Sequence, residues 1–357
     1  MLIFVLNLGS TSSKIAIFED DQEKFSKTIN HDPQMLARTR RPVDQMEMRR
    51  NAIYEAVHKA GYHFANFDAI CSRAGVLRPI ESGTYTVDYS VMADVLDPEV
   101  GGRGPHGLGL LIANEISMKY DIPAFFCDPV STDELRPVAR ISGFKGMERR
   151  SNFHALNQKA VARRCAEVIG KPYEELNLIG VHLGGGTSVV AHEKGRCVEI
   201  HNCTEEGAFS MDRPGNLPTT QIVNYCFSGV SKEDVRLALG RQGGVYSYLG
   251  TSDMRNVEQR VKDGDQEAKL IYEAFAYQHC KCIGEMAAAL RFDVDGIFIT
   301  GGIAHRESMI ELIKGYVGKL APIYVFPGEE EMKSLAMGAL RVLNGETEAL
   351  QYRPQYF

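Results

Sequence analysis

Two short segments concentrate small and hydroxylated residues between apolar runs. Gly9-Ser10-Thr11-Ser12-Ser13 follows Leu2–Leu6, and Gly184-Gly185-Gly186-Thr187-Ser188 follows Leu178–Leu183. Such residues suit phosphate, because backbone N–H groups can converge on one concave spot and hydroxyls add donors. Aligning Gly9 with Gly184, about half the chain apart, also sets Leu8 over Leu183, Ser13 over Ser188 and Ala16 over Ala191. Each copy reads as an apolar run, a tight turn and a second apolar run, hence a β-hairpin in each half. Two such turns facing one another could hold a polyphosphate from both sides. The glycine triplet is also compatible with a plain hairpin turn.

Other residues carry chemistry by type and place. Asp128 follows the run Ala124–Cys127, and ligand sites gather at the carboxyl ends of strands in α/β proteins, although a helix cap or turn would also use an acid there. Arg213 stands among small residues in Gly207–Gly215, which suits anion recognition or a surface salt bridge. Thr300-Gly301-Gly302-Ile303 lies between a strand-like run from Gly296 and a helical stretch Met309–Val317, and allows close approach by a flat or phosphorylated ligand. A G-x-G-x-x-G occurs at Gly102, Gly104 and Gly107 with Asp128 beyond it. Asp97-Pro98-Glu99 precedes it where a buried strand should end, and Pro105 sits inside it. The dinucleotide reading is therefore set aside, and Gly101–Gly109 is read as a flexible loop that delivers Arg103 and His106 or simply as a structural loop. No Walker-type G-x-x-x-x-G-K-[ST] is present.

The elements that must position these residues follow from periodicity. Strand-like runs at Leu2–Leu6, Lys14–Phe18, Ala124–Cys127, Leu178–Leu183, Ser188–His192 and Gly296–Thr300 alternate with helical stretches. The latter are Arg49–Ala60, Leu108–Lys119, Asn152–Ile169, Lys232–Leu239, Gln266–Leu290, Met309–Val317 and Glu330–Leu343, with Asp265 as N-cap of the longest. That alternation argues for α/β architecture, and 357 residues suffice for two domains. With 44% hydrophobic and 24% charged residues the chain is a packed globular protein. A net charge of −6 argues against nucleic acid as a partner, and no apolar run reaches membrane-spanning length. The opening Met1–Leu6 has no basic flank and reads as a strand, not a signal peptide. The eight cysteines are irregularly spaced and expected to be reduced, in a cytoplasmic protein. Cys280 and Cys282 point to different sides of a helix, which does not suit zinc held by that pair.

Taken in order, these segments resemble the acetate and butyrate kinases, and most closely the butyrate branch, within the superfamily of actin, hexokinase and heat-shock ATPases. The matches are Asn7–Lys14, Arg73–Gly83, Gly104-Pro105-His106, Cys127-Asp128-Pro129, Phe153-His154, His182–Gly186, Met211–Gly215, Ser252–Arg255, Thr300–Ile303 and Phe326–Glu331. The resemblance implies two ribonuclease-H-like, actin-like ATPase domains with a nucleotide cleft between them. Residues 1–150 would form the first, joined by a C-terminal helix at about 331–357, and residues 151–330 the second, nucleotide-binding domain.

It also implies a reaction: ATP and a short-chain carboxylate, butanoate above all, give an acyl phosphate and ADP with Mg²⁺. Asn7 and Glu330 would neighbour the metal. Ser10, Ser12 and Lys14 would meet phosphate. His182, Gly184, Gly185, Gly186, Asp253, Met254, Arg255, Gly301, Gly302, Ile303 and Ala304 would bind nucleotide. Arg73 and Arg213 would hold the carboxylate and the moving phosphoryl group, with His106 assisting and Asp128 as the family's essential acid. Acetate kinases carry two valines where this chain has Ala74 and Gly75, which implies room for a longer acyl tail. They also carry a histidine where this chain has Gln158, which is left out of the catalytic set.

The chemistry fits these residue types. A carboxylic acid with pKa of about 4–5 is already ionised at neutral pH, so the nucleophile needs no base, only cancellation of charge repulsion and in-line placement. Asp128 is accordingly expected to organise metal or water. A kinase of acetate, propionate or a branched acid, and a non-catalytic actin- or chaperone-like nucleotide binder, are the alternatives. A homo-oligomer is expected.

Overall fold

The computed structural model describes residues 1–102 and 104–354, so Arg103 lies outside the described residues. The chain divides into two compact units, Met1–Asp133 with the segment from Glu330 onward, and Glu134–Glu329. The first division therefore falls ahead of the boundary at 150 expected above. The reason lies in Glu134, whose buried carboxylate accepts from Lys159 Nζ and Cys197 N, both at 2.7 Å, and so anchors the segment after it to the second unit.

The first unit is built on β1 (Leu2–Leu8), β2 (Ser12–Glu19), β3 (Gln22–Asn30), β4 (Ala69–Ser72), β5 (Thr84–Thr86) and β6 (Ala124–Cys127). They lie in the order β3-β2-β1-β4-β6-β5. β1 is central, antiparallel to β2 and parallel to β4, and its near-continuous apolar run reflects burial on both faces. Alternate residues serve the two faces. Phe4, Leu6 and Leu8 join Ile53 and Val57 of the helix Met46–Lys59 and Ile112 of the helix Leu108–Tyr120 in one core. Ile3 and Val5 are buried on the other face, where the helix Glu331–Leu343 lies with Gly338 packed directly against Cys127. β3, at the edge, is largely exposed and charged.

The second unit is built on β7 (Asn177–Leu183), β8 (Thr187–Glu193), β9 (Arg196–Ile200), β10 (Gly296–Gly301) and β11 (Ile323–Pro327), in the order β11-β10-β7-β8-β9. The helix Gln266–Ala289 starts at Asp265, whose carboxylate accepts from Ala268 N at 3.0 Å. It buries Ile271, Phe275, Ile283 and Met286 against Ile179, Val181 and Ile299. The alternate residues Leu178 and Phe298 pack against Val161 and Cys165 of the helix Ala155–Ile169 on the opposite face. Helices on both faces of a sheet are what α/β patterning predicts.

Both sheets carry the same run of five strands: two antiparallel pairings from the edge to a central strand, then two parallel pairings. The hairpins that the sequence aligns do correspond, but not residue for residue. Ser13 stands opposite Leu8, whereas Thr187 stands opposite Leu183, so the second turn is one residue shorter. Under that register the two β-bulges coincide, at Ile17/Phe18 and Ala191/His192. The coincidences Ser13/Ser188 and Ala16/Ala191 are therefore out of step by one residue, which in a strand means opposite faces. Among the described residues no two cysteines form a disulfide, and no helix is long and apolar enough to cross a membrane.

Candidate functional site

In the first unit, three parallel strands end side by side. β1 runs into the turn Gly9–Thr11, β4 into Arg73-Ala74-Gly75 and β6 into Asp128. Neighbouring parallel strands deliver their carboxyl ends to one edge of a sheet, so segments distant in sequence arrive together.

The geometry at that edge is specific. Asn7 Nδ2 donates to Glu331 Oε2 at 2.7 Å, and Arg73 Nη1 lies 3.4 Å from both Asn7 Oδ1 and Glu331 Oε2. The acid expected beside Asn7 is Glu330, and the structure puts Glu331 there instead. Glu330 is exposed just ahead of the helix, and its carbonyl accepts from Ser334 N and Oγ, each at 2.8 Å. In a run of three glutamates, only the phase of the helix decides which one faces the sheet.

The first turn is held from beneath by a residue that the motifs did not single out. Arg49, 0% exposed, donates to the carbonyls of Ser10 (2.9 Å) and Ser12 (3.0 Å), to Ser13 Oγ (3.2 Å) and to Gln45 Oε1 (3.0 Å). Ser10 and Lys14 are exposed, and Ser12 is half-buried. His106 Nδ1–H donates to the Leu8 carbonyl at 3.0 Å, which leaves Nε2 as the bare nitrogen of the neutral ring. Burial above all, then the nearby Arg73 and Arg49 charges, hold its pKa below the ordinary 6.5, against the Leu8 carbonyl and Glu331.

The room expected over Ala74 and Gly75 is not open space. Ala74 is buried in the core, and a Cβ on Gly75 would stand 3.1 Å from Gly107 N and 3.2 Å from His106 Cβ. Glycine at 75 lets the His106 loop approach. Asp128 is buried with a positive φ of 39°, a strained conformation for a non-glycine residue. Its Oδ1 accepts from Ser82 Oγ at 2.7 Å and Gly83 N at 2.9 Å.

In the second unit, the turn after β7 is lined by polar side chains. His182 Nδ1 lies 2.8 Å from Asn157 Oδ1, and its Nε2 is 3.1 Å from Glu329 Oε1 without the alignment of a hydrogen bond. The His154 ring stacks on His182 at 4.0 Å and 13°, with His154 Nδ1 3.1 Å from Ser188 Oγ. Arg213 Nη1 donates to the Cys203 carbonyl at 2.9 Å and lies so close to Gly186 that a Cβ there would stand 2.8 Å from it. Gly185 and Gly302 face open space.

A groove of about 550 Å³ brings together segments that are far apart in the chain: Gly184 and Gly185, Ser252–Arg255, Gly302 and Ile303, with Met211, His305 and Arg306. Asp253 caps the helix Met254–Lys262 and pairs with the Arg255 guanidinium at 2.7 Å, and that pairing holds its carboxyl below the usual range. His182, Gly186, Gly301 and Ala304 do not line this groove, and His182 and Ala304 are buried. Gln158 is fully buried, linking the Ser188 carbonyl (3.2 Å) to His192 Nε2 (3.2 Å), which in turn meets Tyr173 Oη through Nδ1 at 2.7 Å.

Sequence reasoning missed Arg49, Glu331, His305 and Arg306 as residues of these sites. The last two follow Thr300–Ile303 closely enough that the glycine pair could have pointed to them.

Comparison with known proteins bears on both units. The structure is similar to the acetate kinase of Porphyromonas gingivalis, with TM-score 0.79 at 18% identity over 96% of this chain and 99% of the other. It is similar to a propionate kinase from Francisella tularensis subsp. tularensis SCHU S4, with TM-score 0.75 at 17% identity over 94% and 98%. It is likewise similar to the acetate kinase of Entamoeba histolytica, with TM-score 0.77 at 16% identity over 95% and 98%. These likenesses establish the two-sheet α/β fold. Residues 142–322, just over half of the sequence, match the Acetokinase family, and the chain belongs to that family.

Proposed function

We propose that the protein transfers the γ-phosphoryl group of ATP to a short-chain carboxylate, with butanoate as the acid, on a pair of ribonuclease-H-like domains. The observation that carries the phosphotransfer reading is the groove that assembles Gly184-Gly185, Ser252–Arg255 and Gly302-Ile303 from three separate segments. Membership of the Acetokinase family supports a carboxylate as acceptor, and the fold shared with a protein named as a propionate kinase is in keeping with an acid longer than acetate. Butanoate itself rests on the motif resemblance alone.

In this reading the open glycines let the nucleotide phosphates approach the second unit's backbone, and Arg213 counters charge on the phosphoryl group as it moves. Arg73 receives the acceptor carboxylate, for which its half-exposed guanidinium is placed at the edge of the first sheet. His106, neutral in the free protein, offers Nε2 and takes up a proton when an anion arrives beside it. The carboxylate nucleophile needs no base, so Asp128 orders the Ser82–Gly83 backbone and neighbouring water. Asn7 Oδ1 and the Glu331 carboxylate are hard oxygen donors, both partly exposed, which fits a Mg²⁺ ion that keeps water and phosphate oxygens in its shell. When bound, such an ion neutralises phosphate charge.

Hydroxylamine trapping of acyl phosphate, with ATP, Mg²⁺ and straight-chain acids from acetate to pentanoate, tests the reading. Butanoate should give the highest kcat/KM. A profile peaking at acetate would overturn the choice of acid, and no hydroxamate from any acid would overturn the activity.

A further inference from the structure

We propose that His201, Cys282 and Glu285 form a binding site for a thiophilic divalent cation, with Zn²⁺ the best match. His201 follows β9, and Cys282 and Glu285 stand three residues apart on one face of the helix Gln266–Ala289. A ring nitrogen of His201, Cys282 Sγ and a Glu285 carboxylate oxygen lie within 4.8 Å of one another. Zinc bonds of about 2.0–2.3 Å set tetrahedral ligands about 3.3–3.8 Å apart, so the three need to close by about an ångström. An imidazole, a thiolate and a carboxylate select zinc-like ions over Mg²⁺ or Ca²⁺.

The imidazole and the carboxylate already face one another. His201 is 8% exposed, and its Nε2–H donates to Glu285 Oε2 at 2.7 Å. Its Nδ1 is buried and without a hydrogen-bond partner among the described residues. The nitrogen that faces Glu285 is therefore Nε2, and a cation would take the place of its proton between the imidazole and the carboxylate. A cavity of about 440 Å³, lined in part by His201 and Glu285, gives an ion its entry and water for a fourth position. Two other acids at that cavity, Glu199 and Glu206, are paired with Arg149 at 2.6 and 2.9 Å, which leaves Glu285 to the cluster. Cys280 instead turns towards the Ile313 carbonyl, as expected for thiols two residues apart on a helix. Cys282 finds its companions outside that pair.

The site sits at the root of the loop that carries Arg213. Glycine at 207 is packed against the His201 side chain, and the Cys203 carbonyl holds Arg213. A bound ion would tie this loop to the core helix independently of the nucleotide groove, whose lining residues it does not share.

Titrating the chelator-treated full-length protein with Co²⁺ tests this, read by the thiolate-to-cobalt charge-transfer absorbance and by competition with Zn²⁺. A stoichiometric band is expected, displaced by Zn²⁺, absent in Cys282→Ser and accompanied by a rise in Tm on Zn²⁺ addition. Glu285→Gln alters a largely exposed side chain and should still fold. It should weaken binding by at least about ten-fold, the lower end of what loss of a supporting outer-shell group costs. No band in the parent, a band that persists in Cys282→Ser, or unchanged affinity in Glu285→Gln overturns the proposal.

Discussion

Arg49 Nη1 donates to the Ser12 carbonyl at 3.0 Å while Nη2 reaches the Ser10 carbonyl at 2.9 Å, so one buried guanidinium spans the first small-residue turn. Its hydrogen-bond partners among the described residues are all neutral oxygens. A positive charge thus lies under a turn suited to phosphate, at the cost of a pKa that burial pulls down. Arg49→Met should release both carbonyls and cost about 1–3 kcal/mol for each buried group left unsatisfied. Urea denaturation measures that loss, and the KM for ATP should rise with it. Arg49→Lys should recover part of the ATP effect through its charge but little of the stability, because an ammonium lacks the fork. Full stability in Arg49→Met would show that the turn holds itself.

How much of this was legible in the sequence depends on the kind of information each element carries. Ala124–Cys127 and the helix over 266–289 announce themselves by period and by the Asp265 cap. β3 escapes notice because it is a wet edge strand that mixes charged with apolar residues, and β11 because it is an edge strand of only five residues that ends in a proline. The two turns stand out by composition, but the one-residue difference between them is a matter of register, and no propensity encodes it. The choice of Glu331 over Glu330 depends on where a helix begins within three identical residues. Arg49 is invisible for a different reason: on a helix with the pattern Met46-Glu47-Met48-Arg49-Arg50 an arginine reads as solvated surface. Only the tertiary fold turns it inward.

Arg213→Ala should leave nucleotide binding near that of the parent and remove most turnover. The side chain is held through Nη1 on the Cys203 carbonyl, with Nε 3.9 Å from Asp212 Oδ1, and lies against Gly186 in the turn. Arginines that act on the transition state of phosphoryl transfer contribute on the order of 10³–10⁵ in rate. Steady-state kinetics with calorimetric ATP binding separate the two effects. A kcat within a few-fold of the parent would remove Arg213 from the reaction.

Gly75→Val addresses the acid's length. Since a Cβ at 75 meets His106 Cβ at 3.2 Å and Gly107 N at 3.1 Å, the first thing a valine displaces is the His106 loop. The expected outcome is a parallel fall in kcat/KM for acetate and butanoate, with the ratio between them preserved. A butanoate-selective loss approaching ten-fold, about 1.4 kcal/mol, would instead place the acyl tail over Gly75.

The pH dependence of stability has two limbs of opposite sign. His279 is fully buried, with Nδ1–H given to the Phe275 carbonyl at 2.7 Å and Nε2 without a hydrogen-bond partner among the described residues, and burial pushes its pKa from 6.5 down to about 4. Between those values the unfolded chain binds the proton and the folded chain does not, so stability falls as pH drops from 6.5 towards 4. The loss from His279 is on the order of 3 kcal/mol, and His192, lowered by burial and by Lys159 and Arg163, adds to it. His201 runs the other way. Burial opposes its charge, but Cys282 and Glu285 outweigh burial and raise its pKa to about 10. Its contribution is whole below 6.5 and is lost as pH rises towards 10. Thermal unfolding in the presence of chelator should therefore give a maximum Tm near pH 6.5. His201→Gln should flatten the alkaline limb and leave most of the acid limb, since the His201 charge is the smallest of the influences on His279. An alkaline limb that survives in His201→Gln would assign it to other groups, and a Tm independent of pH from 6.5 to 4 would mean that His279 and His192 find partners for their protons in the folded state.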